Sequence, residues 1–185
     1  MSKKIAVFLA DGFEEIEGLT VVDMCRRAGI EVTTVSIKDT LDIMSSHQIP
    51  LKADRLFENV NFDEMDMLVL PGGGLGTENL EKCDKLKEVL IKAAGEGKNL
   101  AAICAAPRVL GQLGLLKGRK ACCYPGNEEK LLGAEVIMDK GAVKDGPFVT
   151  GRGMGTSVEF AAAIIEQVLG KEKSEEILRQ IQYIF

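Results

Sequence analysis

Three short apolar runs, at residues 4–9 (K-I-A-V-F-L), 66–70 and 100–103, are each cut off by a turn of small or polar residues. Runs this short read as strands of a parallel sheet, and a parallel sheet buries both faces under helices. Helical signals fill the gaps. Glu14 and Glu15 suit a first helical turn, and Ile16, Leu19, Val22, Met24 and Cys25 trace an apolar face up to a stop at Gly29. Residues 30–37 alternate with β-branched side chains as a second strand, so the chain opens β-α-β. Residues 79–96 carry helical periodicity with stops at Gly95 and Gly97, and residues 158–169 form a long helix. The final segment places Ile177, Leu178, Ile181 and Phe185 at helical spacing. Shorter strands are expected at 119–124, 134–138, 142–144 and 147–150, with Asp145-Gly146 as a hairpin turn and Pro125-Gly126-Asn127 leading into a brief helix. Residues 40–61 are least readable, with an extended piece near 49–52 and a turn near 55–57. The expected fold is a flavodoxin-like α/β three-layer sandwich, a mostly parallel sheet with helices on both faces, forming one domain over 1–185.

A chain of 185 residues can bury a core without staples. Its net charge of −5 and the lack of a basic stripe argue against stable nucleic acid binding. The five cysteines, at 25, 83, 104, 122 and 123, are an odd number with no leader pattern ahead of them, which fits a reducing, cytoplasmic setting. Cys122 and Cys123 read as strand residues alternating between faces. No C-x-x-C set exists and His47 is the single histidine, so no metal is expected. No apolar run is long enough to span a membrane. His47, in a loop, reads as a solvated surface residue.

The chemistry-bearing stretch is K-N-L-A-A-I-C-A-A-P-R-V-L-G, residues 98–111. Cys104 sits where strand gives way to helix, since Pro107 is tolerated only in a first helical turn. Ala102 and Ala106 leave room for a sharp bend, the steric requirement of a nucleophile elbow. Free N–H groups and the helix dipole there favour thiolate, so Cys104 is expected to be the most acidic of the five.

Ligands of open α/β sheets bind beyond the carboxyl ends of the strands. Three segments meet that rule together: residues 11–17, the Pro71-Gly72-Gly73-Gly74 turn, and Cys104. The glycines can turn N–H groups toward a ligand, although neither a Walker pattern nor a complete G-x-G-x-x-G follows. Of Glu14, Glu15 and Glu17, helix geometry lets one face the cysteine, and a carboxyl in a dry pocket would hold its proton.

Four motifs, A-D-G-F-E-E-I-E-G-L-T-V-V-D (10–23), V-L-P-G-G (69–73), A-A-I-C-A-A-P (101–107) and G-R-G-M-G-T-S (151–157), occur in order along nearly the whole chain. In these it resembles the ThiJ/PfpI superfamily, within it the branch of the parkinsonism-associated protein deglycase. The resemblance implies a homodimeric flavodoxin-like fold, with an easily oxidised cysteine matching Cys104 and a protonated glutamate matching Glu17. Gly73 and Ala105 match the family's backbone oxyanion donors. Family activities include glyoxalase or deglycase chemistry on methylglyoxal and its adducts, together with chaperone and oxidative-stress roles.

Two departures matter. The protease-like members carry a histidine where this chain has Ala105, which removes the base for peptidase chemistry. The deglycase branch often has a histidine where this chain has Tyr124, a poor base near neutral pH. The expectation is therefore a cofactor-free glyoxalase or deglycase of small dicarbonyls or glycated substrates, relying on Cys104 and Glu17, with Tyr124 orienting the substrate. Its rival is a redox-responsive sensor or chaperone in which Cys104 is oxidised to sulfinate with little turnover. Flavin-based electron transfer fits poorly, because the first loop is acidic where a phosphate would need donors.

Overall fold

The structure, a computed structural model, describes residues 2–184. Its centre is β1 (Lys4–Leu9), in which Ile5 to Leu9 are completely buried. α1 (Glu15–Arg27) follows and ends at Gly29, whose positive φ reverses the chain into β2 (Glu31–Ser36). The least readable region resolves into a hairpin, β3 (Asp42–Met44) and β4 (Pro50–Lys52), and a two-residue strand, β5 (Arg55–Leu56). β6 (Met67–Leu70) leads into α2 (Gly74–Lys82) and α3 (Asp84–Gly95), and β7 (Asn99–Ile103) into α4 (Pro107–Gln112). A pair of two-residue strands, β8 (Lys120–Ala121) and β9 (Glu135–Val136), precedes β10 (Ala142–Asp145) and β11 (Phe148–Gly151). α5 (Ser157–Leu169) and α6 (Lys171–Gln180) complete the chain.

The main sheet runs β10-β11-β7-β6-β1-β2-β5, and every pairing in it is parallel except β10 with β11. That order, with β1 beside both β2 and β6, is the flavodoxin-like α/β arrangement. Side chains alternate along each strand, so one face of the sheet packs Ile5, Val7 and Leu9 with Phe160, Ile164 and Ile177 of α5 and α6. The opposite face packs Ala6 and Phe8 with Leu80, Leu86, Leu90 and Val109 of α2, α3 and α4. The expected three layers are present, and the Asp145-Gly146 hairpin joins β10 to β11 as read.

Several local expectations need correction. The helix expected over 79–96 is two helices, broken at Cys83, whose backbone is extended (φ −87°, ψ 94°); the first starts earlier, at Gly74. Ile16 and Leu19 do not face the core but are 49% and 41% exposed, the buried stripe running through Gly18, Val21, Val22 and Cys25 instead. Cys122 and Cys123 lie just past β8 rather than inside a strand, yet both are fully buried, Cys122 against Thr150. Phe185 falls outside the described residues.

Candidate functional site

The segments after β1 and β6 are tied to each other, and the end of β7 to β11, by backbone hydrogen bonds before any side chain is considered. Glu14 N–H donates to the Gly72 carbonyl at 3.0 Å, Gly76 N–H to Gly12 at 3.0 Å, and Cys104 N–H to Gly151 at 2.9 Å. At this junction Cys104 has φ +65°, the left-handed region that side chains rarely adopt. A cysteine in that conformation at a strand end is a strained elbow, and Ala102 and Ala106, both fully buried, supply the room the bend needs. The helix begins at Pro107, as its proline demands.

Glu17, in the first turn of α1, is fully buried, and its Oε2 accepts a hydrogen bond from Gly72 N–H at 2.9 Å. Gly72 is the pivot of the site. A Cβ built on it would stand 2.6 Å from Cys104 Cβ and 2.6 Å from Glu17 Oε2, so any side chain there would wedge the pair apart. Gly73 has φ +90°, and its N–H and that of Ala105 lie near enough to the Cys104 sulfur to favour its thiolate. The structure thus brings Cys104, Glu17, Gly73 and Ala105 into one constellation.

Burial is the largest influence on both ionisable groups. It pushes the Glu17 carboxyl up to about 7, aided by the charge of Glu14 and opposed by the Cys104 thiol and the Gly72 N–H. Burial, together with the charge of Glu17 and a hydrogen bond to it, pushes the Cys104 thiol up to about 12 against the Gly73 and Ala105 N–H groups. The expected acidification of Cys104 therefore does not hold while Glu17 is ionised. α4 is only six residues long, and its N-terminus is outweighed by the dry pocket and the adjacent carboxylate. Burial holds Cys25 and Cys123 at about 12 as well.

Above about 7 the pair carries one negative charge, and the geometry says where the remaining proton fits. Glu17 Oε1 is buried with no well-aligned hydrogen bond among the described residues, the carboxyl's other polar interaction being with the Cys104 thiol. A bare carboxylate oxygen in that position is destabilising, whereas a carboxylic O–H has the sulfur as acceptor. The arrangement can therefore present a thiolate steadied by two N–H groups and a neutral carboxyl, and can pass a proton between them.

Tyr124 reaches the site through its backbone, its N–H donating to the Cys104 carbonyl at 2.7 Å. Its ring is 54% exposed beside Gly153, at the edge of the constellation. His47 stands apart from the thiol, mostly exposed, with Nδ1 2.7 Å from Glu15 Oε1 and 3.0 Å from Ser46 Oγ. Glu14, Glu15 and His47 are close enough to hold a cation, but Ser46 and His47 already occupy these carboxylates with hydrogen bonds. The sequence places Gly72 in its glycine turn and Gly151 in its last motif but gives neither an individual role; the carbonyl of Gly151 anchors the elbow from a strand distant in the chain. A shallow groove of about 650 Å³ lies elsewhere, along α5 and α6.

Comparison with known proteins follows the same lines. Residues 3–167 match the DJ-1/PfpI family. Protein DJ-1 homolog B of Arabidopsis thaliana is 38% identical over 95% of this chain, which spans only 40% of that protein's length. Deglycase PYRAB04690 of Pyrococcus abyssi is 35% identical, covering 80% of this chain and 89% of its own. The structure of oxidized Toxoplasma gondii DJ-1 superposes with a TM-score of 0.94 at 34% identity, covering all of both chains.

Proposed function

The chain belongs to the DJ-1/PfpI family, and from that premise we propose that it is a cofactor-independent, cysteine-dependent glyoxalase or deglycase acting on methylglyoxal-type dicarbonyls or their adducts. The observation that carries this reading is the fully buried Glu17 beside the partly buried Cys104, bridged at Gly72, with a carboxyl that keeps its proton up to about 7. The name of the Pyrococcus relative supports the substrate class.

Cys104 thiolate adds to the aldehyde carbon, and the new alkoxide, steadied by the Gly73 and Ala105 N–H groups, takes the proton of Glu17 to give a hemithioacetal. Glu17 carboxylate then removes the hydrogen from that carbon to give an enediolate and returns it to the neighbouring carbon, while the hemithioacetal hydroxyl proton passes to the neighbouring oxygen, leaving a thioester of the 2-hydroxy acid. Water hydrolyses the thioester to lactate and frees the thiol. A carboxyl poised at about 7 suits both halves of this transfer at neutral pH. Tyr124 orients the substrate at the rim, a cytoplasmic location fits a chain that keeps five free cysteines, and the exposed apolar side chains of α1 and the β3–β4 hairpin fit a homodimer.

Steady-state turnover of methylglyoxal by the purified protein tests the reading. Cys104→Ala should abolish it, and Glu17→Gln, which keeps the size but carries no transferable proton, should lower it by about 10²-fold or more. The Cys104 thiol, which is not fully buried, also supports the second reading, a redox sensor. Wild-type protein no faster than its Cys104→Ala control, yet oxidised selectively at Cys104, would leave that reading in place of the enzyme.

A further inference from the structure

Arg108 lies four residues beyond Cys104, on α4, with its side chain only 12% exposed. Its Nε and Nη2 donate to the two carboxylate oxygens of Glu81, on the last turn of α2, at 2.8 and 2.9 Å. Its Nη1 donates to Asn127 Oδ1 at 3.3 Å. Asn127 in turn donates from its backbone N–H and Nδ2 to the Tyr124 carbonyl, at 3.2 and 3.1 Å, and Tyr124 N–H donates to the Cys104 carbonyl. A single guanidinium thus reaches three segments. One is the helix that starts directly after Gly73, one is the helix that starts after the elbow, and one is the turn that binds the elbow's own carbonyl.

The elbow needs such a brace, because Cys104 sits at φ +65° and a residue held there relaxes unless its surroundings fix it. The Gly73 N–H belongs to one side of the brace and the Ala105 N–H to the other, so their aim at one sulfur depends on how α2 and α4 are held relative to each other. Only the planar, two-pronged arginine head can grip both carboxylate oxygens and still reach Asn127; a lysine ammonium has no such fork.

We propose that Arg108 is a positioning residue, the hub of a Glu81–Arg108–Asn127 clamp that holds the Cys104 sulfur against its backbone N–H donors. The proposal rests on the reading of Cys104 as the reactive group, but does not require that the protein turn over a dicarbonyl.

The test is the rate of Cys104 alkylation by iodoacetamide against pH, read by peptide mass spectrometry on the full chain. Arg108→Lys keeps the charge and loses the fork, while Asn127→Ala leaves the Arg108–Glu81 pair intact and cuts its tie to the Tyr124 turn. Thermal unfolding confirms that each variant is folded. Both should raise the pH midpoint of Cys104 alkylation and lower its rate at neutral pH by about tenfold, the effect of misaligning one donor to a charged sulfur. Where methylglyoxal turnover is measurable, kcat should fall with KM unchanged. A variant that is folded, even with a lowered Tm, but keeps the wild-type pH profile would overturn the proposal and make the clamp a stabilising contact only. If Arg108→Lys fails to fold, Asn127→Ala alone decides. A shifted profile in a protein without turnover would uphold the clamp and reject the enzyme.

Discussion

Glu17 links the chemistry of the site to the stability of the fold. In the unfolded chain its carboxyl ionises near 4.5, whereas in the folded chain the proton is retained up to about 7. Between these values the folded state binds more protons than the unfolded one, so stability falls as pH rises. The contribution is complete below 4.5 and is lost as pH passes through 7, amounting to about 3 kcal/mol at most. Urea denaturation at a series of pH values should show this slope in wild type. Glu17→Gln should flatten it and be the more stable protein at alkaline pH. That glutamate was readable in the sequence only through family resemblance, because nothing in E-E-I-E by itself says which acid turns inward. The direction of the Cys104 shift was not readable either, since it depends first on burial of the thiol and then on Gly72 letting the carboxyl come within reach of the sulfur.

Among the elements, the turn between β7 and α4 bears the strain. Holding a non-glycine residue at φ +65° costs about 1–3 kcal/mol, which glycine avoids at the price of a more flexible unfolded chain. Cys104→Gly should therefore be more stable than Cys104→Ala by about 1 kcal/mol in urea denaturation, although both lack the thiol. Equal stabilities would show that the bend is relaxed. The core strands were legible because their apolar runs are short and end in turns, α1 because its stop is a glycine, and α5 because its apolar run is long. Of the β3–β4 hairpin, β4 was legible as the extended piece near 49–52, whereas β3 and the pairing were not, since three-residue strands leave no period to read. The split between α2 and α3 escaped for a different reason: residues on either side of Cys83 keep helical spacing while its backbone alone departs.

At the scale of the whole molecule, Ile16 and Leu19 of α1 and Met44 and Ile49 of the hairpin are all exposed. Gly12 N–H donates to the Met44 carbonyl and Ser46 N–H to that of Phe13, which seats the hairpin beside the start of α1. An apolar patch of this kind fits burial against a second copy. Sedimentation should show a dimer, and Leu19→Glu should shift it toward monomer with the fold kept. The elbow also has a history in time. Cys104 hangs from the Gly151 carbonyl of β11, a strand that pairs with β7 across nearly fifty residues of intervening chain. Contacts so distant in sequence form late, because the long loop must close first. During synthesis and refolding the thiol is therefore expected to react as an unshielded cysteine until β11 docks, and pulsed alkylation during refolding that already finds Cys104 protected before β11 has paired would contradict this.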